Sequence, residues 1–420
     1  MRAPRLESMC VSVTWHFAFY MYISWFSPRL PHLARNFPAL RSLHLLRICL
    51  PLRQLGIPWD RLREFSFQDP CHEYDGRMGL CGMAFYNHQL PVITSLVRGT
   101  TLRTLRIKGE HIYGLDKDKP NSIDIEEILL PSLESLTLSQ VDLRWPKHEF
   151  HLGSGPSCLP HLTSFEIGIC SAWAQREARS DDYPACATLL RLLQRMINLH
   201  TLTIGSWDVK PEDSPPNTLL VFLPYVRVLT LNYIHADRLS DLYSGLDLPA
   251  LEHLVIRDFT LREEWHPPIP ARWPVRHLKL HIHTDECFYF EEYLEALQTV
   301  ETIHLEGTDE DGTPWASDYV LEFFARLDVT PHLRGVRCVM CQDVYNDGEP
   351  LLVRKESPRP GLVVIFEGCV RCINYISAWE AKWNTEEEQC ICTEAEEESD
   401  EFEMDSDDLE DEVRTGMSFF

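Results

Sequence analysis

Residues 248–257 read Leu248-Pro249-Ala250-Leu251-Glu252-His253-Leu254-Val255-Ile256-Arg257. Leu254 and Ile256 are two positions apart, so on a short strand both side chains point to one face. Leu251 precedes them by the length of a turn, and the Leu-Pro pair opens that turn. Apolar residues at positions one, four and six recur along the chain. Copies begin at Leu40, Leu62, Leu102, Leu133, Leu162, Leu199, Leu251, Val275 and Val300, with weaker ones at Val226 and Leu333. Their first residues are separated by 22, 40, 31, 29, 37, 27, 25, 24, 25 and 33 residues. Leu-Pro recurs before several of them, at Leu130-Pro131, Leu159-Pro160, Leu223-Pro224 and Leu248-Pro249.

The spacing is that of a leucine-rich repeat, with several intervals stretched by loop insertions. It predicts an α/β chain, a leucine-rich-repeat solenoid or horseshoe of irregular long repeats. Strands are expected to start near residues 41, 63, 103, 134, 163, 200, 227, 252, 276, 301 and 334, all parallel in one sheet. One such unit cannot bury its apolar face alone, whereas stacked neighbours can. Position nine begins the return and reads Ile48, Val141, Cys170, Trp207, Ile234, Phe259 and Cys341 in seven copies. Positions three, five and seven alternate with the core positions and are expected on the concave surface.

Apolar residues at helical spacing predict helices over Ala185–Met196, Phe288–Leu297 and Asp318–Leu327. After the last repeat, Leu351–Arg354 and Leu362–Phe366 flank a Ser-Pro-Arg-Pro turn and read as a hairpin. Cys369–Trp383 carries Val370, Ile373, Ile376, Trp379 and Trp383 on one stripe, which suits a helical C-terminal cap. The expected organisation is an apolar leader over 1–36 and repeats over 37–345. A strand pair with capping helix follows over 346–385, and then an acidic, disordered tail over 386–420.

The charge is unevenly placed. The chain has 39 Lys plus Arg against 64 Asp plus Glu, a formal charge of -25, and residues 386–412 alone hold 16 acidic and no basic side chains. A body with this balance disfavours phosphate-backbone binding, so nucleic acid is not expected as a partner. Fourteen cysteines at core-like positions of a long chain suggest reduced thiols and a cytoplasmic or nuclear location. The apolar segment Cys10–Phe26 contains Ser12, Thr14, His16 and Ser24 and no small-residue cleavage site. A membrane role is therefore not expected.

The Ile57-Pro58-Trp59 segment, the repeated Leu-Pro-x-Leu openings and the long insertions resemble fungal F-box/leucine-rich-repeat proteins. The resemblance spans roughly residues 30 to 385. It implies a substrate receptor of a cullin-type ubiquitin ligase, whose F-box docks on a Skp-type adaptor while the repeats receive the protein substrate. No F-box is visible in the 39 residues before Leu40, so no adaptor-binding residue is carried over. The alternative is a stand-alone scaffold or inhibitor with no ubiquitin link.

Chemistry-bearing motifs are few. Cys338-x-x-Cys341 and Cys369-x-x-Cys372 have the form of a four-thiolate zinc site. The register equally places Cys338 at position six and Cys341 at position nine, where small buried thiols pack well, and no metal or cofactor is assigned. Motifs for nucleotide-binding loops, zinc proteases and serine hydrolases are absent from the sequence, and no enzyme activity is expected. The most distinctive polar positions are His253, Arg257, His277, Lys279, His281 and His304, on three consecutive copies. They form a candidate concave binding patch, basic and histidine-rich on an acidic body, with Arg106 and Lys108 adding charge on an earlier strand, which suits an acidic peptide, a phosphopeptide or a protein substrate as partner.

Overall fold

Each copy of the spacing forms a strand one residue after its expected start. A computed structural model describes residues 5–12, 33–46, 52–68, 93, 96–97, 99–108, 123–124, 129–139, 143–144, 159–168, 186–205, 220–232, 234, 236–260, 269–283, 298–307, 330–339, 351–356 and 359–368. All of them lie in one unit, Met1–Ile373.

The strands are β1 (Ser8–Ser12), β2 (Ser42–Leu46), β3 (Glu64–Gln68), β4 (Thr104–Lys108), β5 (Ile123–Asp124) and β6 (Ser135–Ser139). They continue with β7 (Leu143–Arg144), β8 (Ser164–Gly168), β9 (Thr201–Gly205), β10 (Val221–Phe222), β11 (Val228–Asn232) and β12 (Leu246–Asp247). The last six are β13 (His253–Thr260), β14 (His277–His283), β15 (Thr302–Gly307), β16 (Gly335–Val339), β17 (Leu351–Glu356) and β18 (Val363–Gly368). Fourteen of them make one sheet, in the order β1-β2-β3-β4-β6-β8-β9-β11-β13-β14-β15-β16-β18-β17. Only β17, paired with β18, runs antiparallel. The described helices are α1 (Leu33–Asn36), α2 (Cys186–Leu193) and α3 (Ala236–Gly245). This is an α/β chain, rich in parallel strand and poor in described helix, whose sequential strand order is consistent with a solenoid-like arrangement.

Register is what makes the sheet repetitive. Leu229, Leu254 and Leu278 are direct neighbours across β11, β13 and β14, as are Leu231, Ile256 and Leu280. Every one of these six is at most 2% exposed, as is each first-position residue from Leu40 to Leu333. The backbone holds the same phase one residue ahead of the strands. The Arg41 carbonyl accepts from both Arg63 and Glu64 N–H (2.7 and 3.1 Å), and the Arg227 carbonyl from both Glu252 and His253 (2.9 and 2.8 Å). The Leu-Pro openings have a related cause. The carbonyls of Leu130, Leu159, Leu223 and Leu248 accept the first-position N–H three residues on, at 3.1, 3.2, 3.4 and 3.2 Å. Proline suits the second place of such a turn because its φ is preset and its missing N–H is not needed.

Two features were not legible as repeats. Residues 1–36, expected as a leader, contain β1, which pairs in parallel with β2. Leu6, Met9 and Val11 follow the same spacing, but Met9 and Val11 are only half-buried at the sheet edge. At the other end β18 joins the parallel ladder through β16 and also closes the expected hairpin with β17. The helix over 185–196 is present as α2. Those over 288–297 and 318–327, the capping helix and the acidic tail lie outside the described residues. Of the position-nine residues, Ile234 is buried and Phe259 lies in β13; the other five are outside the described set.

Arg359 fastens the terminal hairpin to the preceding repeat. It is 6% exposed, and its guanidinium donates to the Thr330 carbonyl (2.7 Å), Thr330 Oγ1 (3.3 Å) and the Pro331 carbonyl (2.9 Å). Burial pulls its pKa below the ordinary arginine value. Gly361, two residues on, takes φ +84, a left-handed conformation that glycine adopts freely. Arg359→Met keeps the length and removes every side-chain donor, leaving the buried Thr330 with the Leu333 N–H (3.2 Å) as the remaining donor to its carbonyl and its Oγ1 without the guanidinium. The expected loss is about 1.5–3 kcal/mol of unfolding free energy in urea titrations, concentrated in exchange protection of β17 and β18. A change below about 0.5 kcal/mol, the size of an ordinary surface substitution, would refute the role.

Candidate binding face

Side chains at positions three, five and seven lie on the side of the sheet opposite the core and form columns running across the strands. All six patch residues fall there. His253 and Arg257 are exposed on β13, His277, Lys279 and His281 are half-buried on β14, and His304 is half-buried on β15. The register brings His253 opposite His277, and Lys279 opposite His304. The first pair stacks, with ring centroids 4.5 Å apart and planes at 21°. His277 Nδ1 is also 2.7 Å from Thr302 Oγ1. Arg257 stands apart from the β14 groups, because the β13–β14 register shifts after Ile256.

Carboxylates neutralise much of this patch. Glu306, opposite His281, forms a salt bridge with Lys279 and lies 3.4 Å from His304 Nε2. One repeat further, Arg337 Nε donates to Glu367 Oε2 at 2.7 Å, and Glu367 is itself buried. The result is a strip of alternating sign over β14, β15, β16 and β18, not a uniformly positive one. The column register makes this visible. Counting the patch by residue type on individual strands does not, since the neutralising acid comes from the next repeat.

Two histidines resist protonation. Burial, then the Lys279 charge, holds His304 below the ordinary imidazole value of 6.5, against the opposing pull of Glu306. Burial, then His277, lowers His253, with Glu252 opposing. Between the folded and unfolded values the unfolded chain binds more protons, so stability falls as pH drops below 6.5 and levels off below the folded values. The His304→Gln variant should therefore gain stability relative to the wild type between about pH 7.5 and 5.5 in urea midpoints. An unchanged difference across that window would contradict it.

Cys338, the described member of the two thiol pairs, is a core residue between Leu305 and Phe366 in the register. Burial pushes its thiol up to about 12, so it is a packing group without nucleophilic character. Cys341, Cys369 and Cys372 are outside the described residues. Among the described residues no group of three or more His, Cys, Asp or Glu side chains is placed to hold a metal ion. No described helix is long and apolar enough to cross a membrane.

Sequence reasoning missed a recess at the edge where the chain enters the strands. Glu134, Pro160, His161, Thr163, Asn198, His200 and Tyr225 line an open groove of about 470 Å³. His200 and Tyr225 stack at 6.0 Å, and Asn198 Nδ2 donates to the Pro160 carbonyl at 2.7 Å. The signal for it lay in the position-two residues Glu134, Thr163 and His200, which form a column of their own at this edge.

No protein-family model matches the chain, and no curated protein shows significant similarity to it.

Proposed function

We propose that this chain is a leucine-rich-repeat solenoid that binds another protein along its concave face. The supporting observation is the register. Twelve of the thirteen parallel strands, all but the edge strand β1, bury both core positions, so one ribbon of mostly polar side chains is displayed over a continuous core. Solenoids of this kind bind through such ribbons. The patch from His253 to His304, extended by Glu306 and Arg337, is the proposed contact region. Its alternating charges favour a partner with both signs at matching spacing.

The resemblance to F-box/leucine-rich-repeat proteins supplies the more specific reading, a substrate receptor of a cullin-type ubiquitin ligase. Affinity capture with the full chain separates the readings. Recovery of a Skp-type adaptor and cullin supports the ligase role. Their absence, from a chain whose start is verified at the 5′ end of the transcript, supports a stand-alone scaffold or inhibitor. In either case crosslinks from the partner are expected on β13–β16. A partner whose crosslinks all map to the opposite side of the sheet would overturn the binding face.

A further inference from the structure

We infer that the recess at the strand-entry edge receives an arginine side chain of a partner protein, seated between Glu134 and His200. The inference rests on the reading of this chain as a protein-binding solenoid and adds a contact away from the concave ribbon.

The site begins from an interruption in the position-two column. The backbone makes this column continuous, because each position-two carbonyl accepts the N–H of the next: Glu134 to Thr163 at 2.9 Å, Thr163 to His200 at 2.8 Å, His200 to Arg227 at 2.9 Å. From Arg41 to Arg334 every residue of the column is Arg, Glu or His except Thr163. Its later part alternates in charge. Glu252 lies between Arg227 and Arg276, and Glu301 between Arg276 and Arg334. Glu134 has an arginine on one side only, where Arg103 pairs with it at 3.2 Å. On its other side stands Thr163, and this short side chain is what makes the recess. Glu134 and His200 rise on either side of it, two strand spacings or about 10 Å apart.

The groups around the gap are mainly acceptors. His200 Nδ1 lies 2.7 Å from the Asn198 carbonyl, which can only accept, so Nδ1 carries the hydrogen and Nε2 of the neutral ring is an acceptor. Asn198 Nδ2 donates to the Pro160 carbonyl, which leaves its Oδ1 as a second acceptor. Glu134 meets Arg103 through Oε1, and Oε2 is the third. None of these three atoms has a donor among the described residues. Tyr225, 52% exposed and stacked on His200 with planes at 13°, adds an aromatic face. A guanidinium matches this set. It is planar, stacks on aromatic rings, and carries five N–H donors in a fixed fork, whereas an ammonium is a strongly hydrated point charge. None of the recess-lining residues is Lys or Arg, so nothing there would hold the α-carboxylate of free arginine. A side chain presented by a protein meets no such cost.

The test uses the full chain, immobilised, and three degenerate peptide pools of uncharged residues that differ only at one fixed position: arginine, citrulline or lysine. At low salt and pH 7.5 the arginine pool should be retained about fivefold over the citrulline pool, as one exposed stacked and charge-assisted contact provides. The lysine pool should fall between them. Thr163→Arg, which supplies the column's own arginine, should abolish the preference. Tyr225→Ser, changed at an exposed side chain, should reduce it and serves if the first variant does not fold. Arg257→Gln, on the concave face, should keep it. Equal retention of the arginine and citrulline pools overturns the inference, as does a preference that survives Thr163→Arg or Tyr225→Ser. So does tighter retention of free arginine or spermidine than of the arginine pool. A protein partner captured equally by the wild type and both recess variants leaves the protein-binding function standing and removes this inference alone.

Discussion

Replacing Trp273 with alanine is expected to lower the unfolding free energy by about 3–5 kcal/mol, in line with large aromatic truncations in packed cores. Trp273 is 1% exposed and among the largest fully buried side chains. It meets Tyr243 edge-on, with centroids 5.1 Å apart and planes at 82°, and its Nε1 donates to the Leu246 carbonyl at 3.4 Å. Arg272, the preceding residue, donates to the same carbonyl at 2.9 Å. These two residues therefore join the turn before β14 to the end of α3 and the start of β12. Alanine would open a cavity, remove the aromatic contact and leave the Leu246 carbonyl with one donor fewer. Phenylalanine at 273 should recover most of the loss, because it restores the ring but not the N–H. Urea unfolding followed by circular dichroism measures both variants. A loss from the alanine change below about 1 kcal/mol would refute the packing described here.

Leu254→Ala is expected to cost about 2–5 kcal/mol by the same measurement. Leu254 is 0% exposed and lies between Leu229 and Leu278, so the cavity would be shared by three successive repeats. Stability in stacked repeats is roughly a sum of unit and interface terms, and this single change weakens two interfaces. The companion substitution Val255→Ala, one residue along on the half-buried polar side, should cost far less. If the two were equal, the assignment of faces would be wrong.

The core was readable because the fold's periodicity is written in side-chain size and polarity. Leu40 to Leu333 could be placed from spacing alone, and each became a buried turn residue ahead of a strand. The Leu351–Phe366 hairpin was readable for a different reason, its Ser-Pro-Arg-Pro turn. The first strand carries the same spacing at Leu6, Met9 and Val11, but it sits at an edge with one neighbour and runs into an apolar segment that reads as a leader, which hides it. The candidate site was legible only in part. Sequence placed His253, His277, Lys279 and His304 on one face, because alternation decides which face a residue takes. It did not weigh Glu306 and Glu367 against them, because ion pairing crosses strands separated by 27 residues at Lys279 and 30 at Arg337.

The doubled acceptance at Arg41, Arg227 and their equivalents has a consequence for how this chain tolerates change in length. Connections between successive copies run from 22 to 40 residues from start to start, yet the phase is reset each time one carbonyl receives two consecutive N–H groups from the next repeat. Each strand thus carries its own reading frame, fixed locally and independent of how much chain arrived before it. Residues added or lost in a connection leave the frame intact. A single residue added between that carbonyl and the end of its strand would invert every side chain beyond it, exchanging core for surface. Such a chain can diversify in its loops almost without limit, while five-residue words such as Ser42–Leu46 and Thr104–Lys108 must be inherited whole.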